Sequence, residues 1–96
     1  MSETISSSDS KSVVSEMQDL IYEIAKALVD DTAAVQVEVL NDQDATVLRL
    51  HVGPGDIGKV IGKQGRTARS LRTILGAASM KLQHRFSLDI VEAGKS

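Results

Sequence analysis

The sequence predicts an α+β domain in which a three-stranded sheet carries helices on one face. Three observations predict it. An apolar stripe at helical spacing comes first, two alternating segments joined by a polar turn follow, and a glycine-rich basic stretch of helical character precedes a third alternating segment. The order is α-β-β-α-α-β.

The first helix spans about Ser12 to Val29. Val14, Met17, Ile21, Ile24 and Leu28 fall at steps of three and four, and Leu20 widens the stripe. Glu16, Asp19, Glu23 and Lys26 lie off it. Asp30 and Asp31 oppose the macrodipole at a helix C-terminus, so the helix is expected to stop there. The preceding Ser-rich residues 1–12 bury too little to offset the entropy of ordering and read as a flexible tail. A domain over residues 13–92 and a short tail over 93–96 complete the organisation.

Val35, Val37 and Val39 alternate with Gln36 and Glu38, and Asn41-Asp42-Gln43-Asp44 is a turn. Leu48, Leu50 and Val52 then alternate with Val47, Arg49 and His51, which gives an antiparallel hairpin. Gly53-Pro54-Gly55 ends the second strand. A short helix is expected over Asp56 to Ile61. Gly62 and Gly65 interrupt it, and a further helix runs from about Arg66 to Ala78 with Ala68, Leu71, Leu75 and Ala78 inward. Leu82, His84, Phe86, Leu88 and Ile90 supply the third strand.

Composition excludes several functions. The chain has 96 residues, 42% hydrophobic and 25% charged, as expected of one folded domain. No apolar run approaches a membrane span, and no secretory signal is visible. Without cysteine there is no disulfide, thiolate metal site or thiol nucleophile, which suits a cytoplasmic protein. His51 and His84 have no metal-ligand spacing around them. No nucleophile–base pair and no paired carboxylates in a Gly-rich cleft point to an enzyme, and no cofactor or small-molecule substrate is expected. Tyr22 and Phe86 are the sole Phe, Tyr or Trp rings, too few for the aromatic platforms of RRM and OB folds.

The net charge of −2 conceals a polarity. Before Gly55, acids far outnumber Lys11, Lys26 and Arg49. Between Gly55 and Gly76, Lys59, Lys63, Arg66, Arg69 and Arg72 face only Asp56. Such a local field attracts an anion despite a negative total.

Three glycine motifs overlap in that basic stretch. Gly53-Pro54-Gly55-Asp56-Ile57-Gly58 formally matches a dinucleotide fingerprint, but Pro54 occupies the tight turn and the chain lacks a doubly wound sheet. Gly53 to Lys59 fits G-x-x-x-x-G-K, but the magnesium-binding Ser or Thr that should follow is Val60. The third motif is Gly62-Lys63-Gln64-Gly65 between two helices. A Cβ at either glycine would obstruct the turn or the close approach of a backbone. The free amides and positive dipole end of the next helix point at the loop, with Lys63 at its tip and Lys59, Arg66 and Arg69 nearby. The arrangement reads as a phosphate clamp, as in the KH module, which holds about four nucleotides with such a loop. Asp56 is expected to support the start of its own helix. Ile57, Val60 and Ile61 read equally as core or as the apolar wall of a groove. The stripe Arg66, Arg69, Arg72 would by itself be a solvated face, but its junction with the loop assigns it to the site.

Gly53-Pro54-Gly55-Asp56-Ile57-Gly58-Lys59-Val60-Ile61-Gly62-Lys63-Gln64-Gly65-Arg66-Thr67-Ala68 closely resembles the signature of the KhpA family, small bacterial proteins made of one type II KH domain. Arg72-Thr73-Ile74-Leu75 and Phe86-Ser87-Leu88-Asp89-Ile90-Val91-Glu92 extend the likeness, which covers about Val14 to Glu92. The resemblance implies a mixed sheet, cytoplasmic binding of single-stranded RNA with little stringency, and an RNA-chaperone or post-transcriptional role linked to cell division or elongation. It also implies dimerisation with itself or with a KhpB/Jag-like KH protein. It places the clamp at Gly62, Lys63, Gln64 and Gly65. The alternative reading is a protein-interaction module with a vestigial nucleic-acid surface.

Overall fold

The computed structural model describes residues 12–94. The elements are α1 (Val13–Leu28), β1 (Gln36–Asn41), β2 (Ala45–Val52), α2 (Ile57–Ile61), α3 (Arg66–Leu82) and β3 (Arg85–Glu92). The Ser-rich tail expected at the N-terminus lies, through Lys11, outside the described residues, as do Lys95 and Ser96.

Helix α1 begins where Ser12 Oγ accepts the Ser15 amide at 3.1 Å, an N-cap that satisfies one orphan donor. Glu16 in the first turn and Lys26 in the last complement the dipole. The stripe buries Ile21 and Ala25 against the sheet. Val29 then turns to extended backbone.

The sheet order is β1-β2-β3, with β1 antiparallel and β2 parallel to its neighbour. The parallel pair requires a crossover, and α2 with α3 supplies it. The α-β-β-α-α-β order and the three-stranded mixed sheet with helices on one face are as the sequence predicts. Leu48, Leu50 and Val52 of the central strand are wholly buried, flanked by Val37 on β1 and by Phe86 and Leu88 on β3. Val60 of α2 and Leu71 and Leu75 of α3 close the same core. On the open face, register sets Glu38, Arg49 and Asp89 side by side across all three strands. Arg49 pairs with Asp89 at 3.2 Å and with Glu38 at 3.8 Å, and Glu38 also meets His51 Nε2 at 3.1 Å.

One boundary departs from the sequence reading. Helix α3 runs to Leu82, four residues past Ala78, and β3 starts at Arg85 rather than Leu82. Gln83 takes a left-handed conformation (φ 56°) and ends the helix. Ser79 fastens the reversal: its carbonyl accepts the Gln83 and His84 amides, and its hydroxyl accepts the Phe86 amide at 2.9 Å. Gly76 sits within the helix without breaking it.

Candidate nucleic-acid interface

Helices α2 and α3 meet at the Gly62–Gly65 turn, beside the margin strand β3. Three of its four residues have positive φ: Gly62 at 80°, Gln64 at 58° and Gly65 at 73°. The two glycines are needed for different reasons. A Cβ at Gly62 would overlap the Thr67 hydroxyl and sit 2.9 Å from the Thr67 amide nitrogen. At Gly65 the space is open, and the left-handed backbone alone favours glycine. The turn is closed by the Gly65 amide on Gly62 O at 3.1 Å and the Gly62 amide on Gly58 O at 2.8 Å.

No side chain caps the N-terminus of α3, so its positive end faces the turn. Lys63 and Arg69 are exposed and have no side-chain partner among the described residues. Arg66 is also exposed and donates to Gln64 Oε1 at 3.3 Å. These cations, the turn and the helix end form one electropositive corner.

Lys59 is placed differently from its expected role. Its Nζ lies 3.2 Å from Asp56 Oδ1 and 3.3 Å from Asp30 Oδ2. The hydrogen bonds to Asp56 and then Asp30 hold the Lys59 ammonium above its ordinary range. Its charge adds to the field, but two of its three N–H donors are turned to carboxylates.

Asp56 does not cap its own helix. It is nearly buried and reaches back to α1's exit, where Oδ2 accepts the Asp31 amide at 3.0 Å and Oδ1 the Asp30 amide at 3.2 Å. Those two amides, Asp31's first, hold its carboxyl below the usual carboxylate range, aided by Lys59. No local sequence signal marks this, because the partners are backbone groups 25 and 26 residues upstream.

The three apolar candidates separate. Val60 is fully buried in the core, so its side chain is unavailable as a groove wall. Ile57 is half-buried against the core, and Ile61 is 38% exposed beside Gly62. Arg49 is ion-paired on the open sheet face and does not extend the positive corner. A concavity of about 770 Å³ lies at the other margin, between α1 and β1. There Gln18 Nε2 donates to Val37 O at 2.7 Å and covers part of the strand edge.

A G-x-x-G turn joining two helices, laid on a three-stranded sheet whose last two strands run parallel, defines a type II KH domain. The chain belongs to the KhpA/KhpB KH-domain family, whose model matches residues 18–90. The RNA-binding protein KhpA of Caldanaerobacter subterraneus subsp. tengcongensis is 44% identical over 75 residues, covering 78% of this chain and all of that one. The KhpA proteins of Aquifex aeolicus and Halalkalibacterium halodurans are 44% and 46% identical, covering 82% and 79% of this chain and all of theirs. The fold also matches the crystal structure of Era in complex with MgGDPNP and nucleotides 1506–1542 of 16S ribosomal RNA, with a TM-score of 0.53 and 14% identity over 79% of this chain. This chain spans 29% of that one.

Proposed function

We propose that this chain binds single-stranded RNA, with Gly62, Lys63, Gln64 and Gly65 as the clamp on its backbone. The observation that carries the reading is the turn with three positive φ angles, aimed by an uncapped helix and flanked by Lys63 and Arg69, whose side chains have no partner among the described residues. Amides, dipole and cations all recognise phosphate, which every nucleotide has. The reading is therefore of low base stringency, fitting an RNA chaperone or post-transcriptional regulator. The names of the KhpA relatives support it. Arg66 and Arg69 extend the phosphate contact, Ile61 with part of Ile57 gives the groove its apolar wall, and Lys59 contributes through its field.

The test is Lys63→Asp combined with Gln64→Asp. Asp tolerates the left-handed backbone at position 64 better than most residues, so circular dichroism and the melting midpoint are expected to stay near wild type. Fluorescence anisotropy with a single-stranded RNA is expected to show binding lost. Undiminished affinity in the folded variant would defeat the reading.

A second reading is favoured by one observation: Ile74 and Met80 on α3 are 44% and 83% exposed. They suit self-association, or pairing with a KhpB/Jag-like KH protein, in which two weak clamps gain avidity. Sedimentation of the chain alone, with RNA, and mixed with such a KH protein checks it, and a monomer with no complex in all three conditions removes it.

A further inference from the structure

The outer edge of β3 is partly covered by α3. The Phe86 amide donates to Ser79 Oγ, and an Arg72 Nη2 donates to Leu88 O at 3.3 Å. Arg72 thus bridges α3 and the margin strand of the sheet. Among the described residues this neutral carbonyl is its one partner. Asp89, next along β3, is taken by Arg49.

A hydrogen bond made by a guanidinium nitrogen lies in the plane of the group, so it anchors one edge of the group and leaves both faces out of the bond. Along α3 and β3 no exposed Phe, Tyr or Trp ring stands beside Arg72, and the His84 imidazole is bonded to Thr46. Tyr22 lines the concavity at the opposite margin, and Phe86 is buried. Arg66, Arg69 and Arg72 follow at intervals of three, which puts Arg72 about 9 Å along the helix from Arg66. That distance is roughly two to three stacked nucleotides at ~3.4 Å each.

Resting on the clamp reading above, we infer that Arg72 is the stacking platform for one base of the bound single strand. Its bond to Leu88 anchors the guanidinium at the β3 margin, and the base lies on its face, a geometry that guanidinium planes adopt with unstacked bases. The role requires planarity as well as charge.

The test measures binding of an octa-adenylate RNA, and of the same RNA with one abasic nucleotide at each position in turn, to wild type, Arg72→Ala and Arg72→Lys. Both variants are expected to bind the intact RNA about tenfold more weakly. One abasic position is expected to cost the wild type about as much and to cost Arg72→Lys nothing further. Wild-type affinity in Arg72→Lys would mean a charge contact alone and overturns the platform, as does an abasic series whose costs are the same in both proteins. If Arg72→Ala fails to fold, Arg72→Lys and the abasic series still decide. The Lys63→Asp/Gln64→Asp protein separates the two readings. If it binds as wild type, the clamp fails. If it loses binding while Arg72→Lys keeps full affinity, only the platform fails.

Discussion

The amide of Asp31 donates to Asp56 Oδ2 at 3.0 Å, joining the exit of α1 to the residue that starts α2. Lys59 closes the connection by meeting both Asp56 and Asp30. The helix leading into the Gly62 turn is thereby tied to the first helix through one nearly buried carboxylate.

Asp56→Asn is expected to lower stability at neutral pH, because one carboxamide oxygen replaces two charged acceptors and the amide group brings donors toward donors. The folded carboxyl titrates below 3.8, the ordinary value it has when unfolded. Its contribution is therefore full above about pH 4 and is lost as pH falls through the lowered folded value. Urea midpoints measured from pH 7 to pH 2 should fall less steeply at the acid end for Asp56→Asn than for wild type. Parallel acid limbs would refute the linkage.

Gly62→Ala is expected to destabilise more than Gly65→Ala. At Gly65 the cost is that of a left-handed Ala, about 1–2 kcal/mol. At Gly62 the backbone (φ 80°, ψ 170°) lies in a region reserved almost wholly for glycine, and the new methyl collides with Thr67. Chemical denaturation of the two variants ranks them, and equal losses would contradict the geometry.

Val60→Ala is expected to cost roughly 2 kcal/mol of stability, the scale of burying a Val side chain, since Val60 is fully enclosed. Ile61→Ser is expected to leave the melting midpoint nearly unchanged and to weaken RNA binding. A Val60→Ala protein with normal stability would return that residue to the groove.

RNA affinity is expected to fall with salt at a slope of about −2 in log K against log salt. Lys63, Arg66 and Arg69 each displace about 0.7 counterion from a single strand. Lys59→Met is expected to change that slope less than Lys63→Met, because Lys59 is already neutralised by two carboxylates. A titration from 50 to 300 mM salt reads both.

The first helix and the hairpin were legible in the sequence because each carries one unambiguous period, steps of three and four up to Leu28 and alternation from Val35. The end of α3 was not. Leu82 continues the helical series Leu71, Leu75, Ala78 and equally begins the alternation Leu82, His84, Phe86, and only the Ser79 contacts decide between them. The glycine turn was legible because positive φ leaves a residue-type signature. The contacts of Lys59 and Arg72 do not show in the sequence for a shared reason: Asp30 and the Leu88 carbonyl, which they meet, are distant along the chain. Charge type shows in a sequence, but whether a charge is already spoken for does not.

The ion-pair row Glu38–Arg49–Asp89 has a consequence for encounter. It leaves the sheet's outer surface without a cation to spare at its centre, while Glu16, Asp19 and Glu23 outnumber Lys26 along the first helix and set it against any polyanion. Repelled along that helix and drawn to the Gly62–Gly65 turn, a diffusing strand is rotated before it touches, so collisions are sorted by orientation ahead of any contact.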